Sequence, residues 1–187
     1  MDDIVKSKIR DIKKGDQNAF AEIVEIYKDK VYQLCYRMTG NPFEAEDIAQ
    51  EAFIRAYVNI DRFQMDRKFS TWLFRIATNL CIDRLRKRKP DYSLDAEISG
   101  TEGMTLYSQI ASRDHPPDQE VENLEIQSLI QQEIMKLPEK YRSAIILKYI
   151  EELSLQEISE ILDLPIGTVK TRIHRGREAL RKQLRHI

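Results

Sequence analysis

SLQEISEILDLPIGTVKTRIHRGR, from Ser154 to Arg177, holds two short helical patterns that meet at a break. Ser154 and Glu157 have the S-x-x-E spacing of a capping box, in which the hydroxyl takes a free backbone N–H and the carboxylate reaches back. Leu155, Ile158, Ile161 and Leu162 then supply the apolar stripe of a short amphipathic helix. Pro165 interrupts it, because proline has no N–H and biases Leu164 away from helical geometry. Asp163 stands at the turn, and Asp enters the left-handed region more readily than most residues. The next helix turns Val169, Ile173 and Leu180 inward and presents Lys170, Thr171, Arg172, His174, Arg175 and Arg177 outward. A short helix, a tight turn and a helix with a cationic, hydrogen-bonding face make a helix-turn-helix layout, the second helix shaped for a DNA major groove. A plain helical hairpin with a solvated basic face shares the spacing, but the basic residues concentrate after the turn and Ser159 is small on the first helix.

Working outward, the 187 residues carry 30 basic against 31 acidic side chains. Such a balance argues against nucleic acid only if the charges are evenly spread. Five cations fall in the six positions from Arg84 to Lys89, and seven lie between Lys170 and Arg185 against Glu178 alone. Between these clusters, Asp91 to Glu122 holds eight acids against Arg113. That acidic stretch, with Gly100, Gly103, Pro116 and Pro117 and no sustained period, reads as a flexible linker. Fully extended, its 32 residues reach on the order of 100 Å. The expected organisation is an all-α chain of two small helical domains, residues 1–90 and 123–187, joined by a linker over 91–122.

In the first domain, Asp16 caps a helix whose apolar period runs from Phe20 to Met38, and Gly40, Asn41 and Pro42 end it. A second helix from Phe43 carries Ala45, Ile48, Ala49, Ala52, Phe53 and Ala56 on one face. Its other face, with Glu46, Asp47, Gln50 and Glu51, repels phosphate and is either solvated or a protein-docking surface. A third helix from Phe69 places Trp72, Arg75, Asn79 and Arg84 beside aromatic residues and ends in a basic run that includes Arg86 and Lys87. Cations beside rings suit single-stranded nucleic acid, although charge at a helix C-terminus also complements the dipole. In the second domain, a helix from near Val121 leads to Pro138 and a further helix before Ser154. Cys35 and Cys81, isolated in apolar surroundings, read as core thiols. No signal peptide and no apolar run approaching ~20 residues is present, which reads as a soluble cytoplasmic protein. Acids at Glu44, Glu46, Asp47 and Glu51 do not converge as metal ligands, and no metal, cofactor or small-molecule substrate is expected.

Four strings together, FEAEDIAQEAFIRAY (43–57), FSTWLFRIATNLCIDRLRK (69–87), LPEKYRSAIILKYIEELSLQEISEIL (137–162) and PIGTVKTRIHRGREALRK (165–182), resemble the extracytoplasmic-function group of bacterial sigma factors, of the kind found in Bacillus-type bacteria. The resemblance implies a non-enzymatic subunit that binds core RNA polymerase, through the clamp of the largest subunit and the flap of the second-largest, and directs it to promoter DNA. It implies core docking by Asp47, Gln50 and Glu51. It implies −10 recognition and melting by a loop of Phe63, Gln64, Met65, Asp66, Arg67 and Lys68, with Trp72, Arg75, Asn79, Arg84, Arg86 and Lys87 on the following helix. It assigns −35 recognition to Thr168, Lys170, Thr171, Arg172, His174, Arg175 and Arg177. A membrane-anchored anti-sigma factor and an envelope-stress regulon are implied in the same way. An autonomous helix-turn-helix regulator is the competing reading; it requires a dimer interface or a sensory domain, which the first half does not suggest.

Overall fold

The computed structural model describes the backbone of residues 2–88 and 117–185, and side chains from 3 to 88 and from 126 to 185. Eight α-helices appear among these residues: α1 (Asp2–Lys13), α2 (Asn18–Thr39), α3 (Pro42–Val58), α4 (Phe69–Arg88), α5 (Pro117–Met135), α6 (Glu139–Ile145), α7 (Leu155–Leu162) and α8 (Ile166–Leu184). A 3₁₀ turn at Ile60–Arg62 and a π-helical stretch at Ile146–Ile150 complete the described elements, which include no strand.

Local chemistry sets the helix ends. Asp16 Oδ1 accepts the Asn18 N–H at 3.0 Å, but the N-cap of α2 is Gln17, whose own side chain makes no capping bond, so Asp16 acts one position earlier than the cap expected of it. At the other end Gly40, at φ +69°, returns its N–H to the Tyr36 carbonyl. Asn41 then accepts the N–H groups of Phe43 and Glu44 while Pro42 fills the first turn of α3, where a missing N–H costs nothing. α1 has no counterpart in the sequence reading. Its buried residues Val5, Ile9 and Ile12 do keep the i, i+4, i+7 spacing of an amphipathic helix. The linker read over 91–122 lies outside the described residues up to 116, but its last six positions, 117–122, are helical. α5 opens at Pro117, a residue whose fixed φ suits the first turn of a helix.

In the first half, α2, α3 and α4 pack around Ile23, Tyr27, Leu34, Leu73 and Ala77, all nearly solvent-free. Cys35 and Cys81 are buried there as free thiols. In the second half, α6 crosses α8 closely at Gly176. A Cβ there would sit 2.7 Å from Ile145 Cγ1 and 3.4 Å from Tyr141 Cβ. Gly176→Ala therefore trades a gain in helix propensity of up to about 1 kcal/mol against overpacking of about 1–3 kcal/mol. The expected net loss is about 1 kcal/mol, read as a lower urea midpoint with an unchanged m-value.

The halves do not stand apart. Their buried apolar side chains form one cluster reaching from Val5 to Ile173, and α4 packs along α7. Arg142, on α6, is 8% exposed and donates Nη1 to the Met38 carbonyl at the end of α2 at 2.8 Å. It also donates Nη2 to the carbonyls of Met135 and Leu137, at 2.5 and 3.0 Å. Gln131 Nε2 adds a bond to the Arg37 carbonyl at 3.3 Å.

Candidate nucleic-acid interface

The capping box at Ser154 is formed: the Glu157 N–H donates to Ser154 Oγ at 3.2 Å, and the Ser154 N–H donates to Glu157 Oε2 at 2.9 Å. Asp163 ends α7 at φ +55°, in the left-handed region. Ser159 does more than allow close approach. Its carbonyl accepts the N–H groups of Asp163 and Leu164, and its hydroxyl donates to the Leu164 carbonyl, so it closes the turn on both sides. The turn and the two apolar anchors Val169 and Ile173 fix which face of α8 looks outward.

That face carries Thr168, Lys170, Thr171, His174, Arg175 and Arg177, all exposed, with Arg172 half-buried at its edge. Thr171 Oγ1 turns back to the Gly167 carbonyl at 3.0 Å, which holds the hydroxyl against the helix. The side chains sequence reading placed on this surface are thus brought together on one helix, over a buried base of Val169, Ile173 and Gly176.

The −10 set divides. Gln64, Asp66, Arg67 and Lys68 are exposed on the loop before α4, and Met65 is half-buried. Phe63 departs from the expectation of a base-capturing loop residue. It is 3% exposed, 5.5 Å from the Phe69 ring and 5.3 Å from the Trp72 ring, centroid to centroid. An edge-on ring in that cluster supports the loop from below, because burying an aromatic outweighs leaving it in water. On α4, Trp72, Arg75, Asn79 and Arg86 follow one stripe at near-heptad spacing. Arg84 and Lys87 lie around the helix and line an open groove of about 460 Å³ with Asp47, Gln50, Glu51 and Ile54 of α3. Arg84 and Arg88 face Glu44 Oε1 at 4.0 and 2.7 Å. The basic end of α4 therefore serves two surfaces.

The candidate docking residues Asp47 and Gln50 are exposed on α3, and Glu51 holds Arg55 at 2.7 Å, one helical turn on. Phe43, Ile54 and Val58 are exposed on the same helix. Among the described residues, no group of three or more His, Cys, Asp or Glu is placed to hold a metal ion, and no helix is long and apolar enough to cross a membrane.

The Glu157 carboxyl feels opposing effects. Burial pushes it up, but hydrogen bonds from Lys68 and from the hydroxyl and N–H of Ser154 win and bring it down to about 2. A carboxylate held below its ordinary value stabilises the fold at pH above that ordinary value, and the contribution fades as pH falls from about 4.5 towards 2. Its partner Lys68 is 59% exposed, so solvent screening limits the term to about 1 kcal/mol. Glu157→Gln keeps a capping-box acceptor and removes the charge. At pH 6 it is expected to be about 1 kcal/mol less stable than the parent in urea, with the gap closing near pH 2.

A family model for sigma-70 region 2 matches residues 23–90, and one for sigma-70 region 4 matches residues 127–180. The chain is 69% identical over 187 residues to the ECF RNA polymerase sigma factor SigW of Bacillus subtilis, covering 100% of both chains. It is 38% identical over 173 residues to the ECF RNA polymerase sigma-E factor of Escherichia coli K12, covering 90% of this chain and 88% of the relative. In fold it is similar to CnrH, solved in complex with the cytosolic domain of CnrY (TM-score 0.71, 23% identity, 98% of each chain). It is also similar to Bartonella quintana RpoE, solved with the anti-sigma factor NepR (TM-score 0.63, 22% identity, 89% of this chain and 96% of that one). With α2 from residue 23 onward, α3 and α4 inside the first matched region, α6 to α8 within the second up to residue 180, and a full-length relative at 69% identity, the chain belongs to the extracytoplasmic-function group of the sigma-70 family.

Proposed function

We propose that this sigma factor, an initiation factor and not an enzyme, directs core RNA polymerase to promoters by dividing DNA recognition between its halves. α8 reads the duplex −35 element. The loop of residues 64–68, with Trp72, Arg75, Asn79 and Arg86 on α4, holds the opened −10 strand. α3 docks on the polymerase clamp through Asp47, Gln50 and Glu51, and the second domain meets the flap of the second-largest subunit. The carrying observation is the outward face of α8, where Thr168 to Arg177 line up exposed over Val169, Ile173 and Gly176 behind a capped helix and a left-handed turn. A single helix with an outward row of cations and polar side chains is the element that enters a major groove. The acidic face of α3 cannot serve DNA, since it would repel phosphate.

Control by an anti-sigma factor belongs to the same reading, and RpoE of Bartonella quintana was solved with such a partner. A membrane-anchored inhibitor would hold this chain at the inner face of the membrane until envelope stress releases it. Mixing the purified chain with core polymerase tests the proposal: co-elution and promoter-dependent transcripts are expected. An Asp47→Lys, Glu51→Lys variant is expected to lose co-elution at least ten-fold in apparent affinity while keeping its helical signal. Failure of the parent chain to bind core would overturn the reading.

A further inference from the structure

Lys13 stands in the last turn of α1, where a cation ordinarily complements the helix dipole. Its ammonium reaches instead to the segment that opens the loop before α4. Nζ donates to the Asp61 carbonyl at 3.3 Å and to the Phe63 carbonyl at 3.2 Å. Main-chain bonds shape the chain on either side: Arg62 N–H to the Asn59 carbonyl at 2.9 Å, Phe63 N–H to the Ile60 carbonyl at 3.1 Å, and Arg67 N–H to the Gln64 carbonyl at 3.1 Å. Lys13 supplies a donor at the junction between the 3₁₀ turn and the loop. α1 is a firm support for it. Val5, Ile9 and Ile12 are buried, Lys8 pairs with Glu22 of α2 at 2.7 Å, and the helix packs on both the 3₁₀ turn and α4. Ile12, the neighbour of Lys13, anchors the main chain from which the lysine stem extends.

Phe63 is thereby held at both ends, its ring against Phe69 and Trp72 and its carbonyl by Lys13. Gln64, Asp66, Arg67 and Lys68 follow it directly and are exposed. A loop that selects among bases has to keep its main chain in one conformation. Every residue left free must be ordered when the strand binds, at a cost in affinity and in selectivity. We propose that Lys13 is a positioning residue for recognition of the opened −10 strand: it braces the entry of the loop through the Asp61 and Phe63 carbonyls and so fixes which bases the loop accepts. The inference rests on the reading that residues 64–68 hold that strand. Lys13 acts through the loop and not on the DNA. The family model for region 2 matches from residue 23 onward, so the brace comes from a helix outside the matched segment.

The test uses the full chain, alone and bound to core polymerase. Trp72 is the one tryptophan in the sequence, and its ring centroid lies 5.3 Å from that of Phe63. Its quenching by acrylamide therefore reports on the base of the loop without any DNA. Base preference is read by sequencing what the holoenzyme retains from a pool of single-stranded oligonucleotides of random sequence. Lys13→Met keeps the stem and removes the donors, whereas Lys13→Arg keeps charge and donors. Lys13→Met is expected to raise the quenching constant about two-fold and to lower enrichment of the preferred sequence about five-fold, the size of one charge-assisted hydrogen bond. The salt dependence of total binding stays as in the parent, and Lys13→Arg is expected to recover more than half of both losses. Either readout unchanged in Lys13→Met overturns the brace. So does an equal loss for every sequence with a salt slope smaller by about 1, which marks a phosphate contact. A loop variant, Gln64→Ala with Asp66→Ala, is expected to remove the preference. If it keeps the parent's preference, the strand-holding reading of the loop fails and the role of Lys13 with it, a result distinct from failure of the Lys13 variants alone.

Discussion

Arg142→Ala is expected to lower the stability of the chain by about 3 kcal/mol. The guanidinium serves three main-chain carbonyls at once: Met38 at the C-terminal end of α2, and Met135 and Leu137 at the end of α5. Helix C-termini leave carbonyls without internal partners, and a buried cation is well matched to them. Hydrogen bonds to a charged group contribute roughly 1.5–3 kcal/mol each, and buried acceptors left without a donor add their own penalty. Against this stands the cost of burying the charge, which pushes the Arg142 pKa down from its ordinary value, while neighbouring Glu139 works the other way. Arginine remains charged in either state. Urea unfolding checks the total. The Met38 bond joins the halves, whereas the Met135 and Leu137 bonds lie within the second. Arg142→Lys keeps the charge but loses the planar fork, and is expected to recover less than half of the deficit.

The residues that decide the reader were legible because their signals are local. Ser154 and Glu157 are three apart, Asp163 and Pro165 adjoin the break, and Val169 and Ile173 keep the helical period; each predicts a feature now seen in the fold. The joining of the halves was not legible for the opposite reason. Lys68 and Glu157 are 89 residues apart, and nothing in the local pattern of either marks it as paired. Exposed acids on a short helix look the same whether they face water or a cation across a domain boundary. Phe63 failed differently. An aromatic in a short irregular loop fits a base platform or a core anchor equally well, and only its contacts with Phe69 and Trp72 decide between them. α1 carries its period in only three buried residues, Val5, Ile9 and Ile12, and among the early residues Gly15 is a plain signal of its end but not of its presence. The π-helical stretch at Ile146–Ile150 has no simple sequence sign, since the run of Ile and Leu there fits an ordinary helix equally well.

Arg175→Ala should weaken binding to duplex −35 DNA by about ten- to a hundred-fold while leaving oligothymidylate binding within two-fold. The exposed guanidinium stands on the outward face of α8, one residue before the buried Gly176 that presses the helix against Ile145. Rigid backing of that kind fixes where the side chain points. Its positive charge also lowers the pKa of the Tyr141 hydroxyl on α6, with Lys140 acting the same way, so the two side chains influence each other. Loss of an arginine contact at a base edge costs roughly 1–3 kcal/mol and relaxes specificity at one position, whereas loss of a phosphate contact weakens all sequences alike. Competition between the cognate duplex and a scrambled one distinguishes the two: a base contact lowers the ratio, and a phosphate contact lowers both affinities and reduces the salt slope by about 1. Tyr141→Phe sharpens the test. It removes the hydroxyl and leaves the cation, so a positioning role predicts a smaller loss, about three-fold, with the same change in sequence preference. The single-strand readout keeps the halves separable. If Arg175→Ala weakened oligothymidylate binding as much as duplex binding, α8 would be part of a shared cationic field and the assignment of the two elements to two faces would fall.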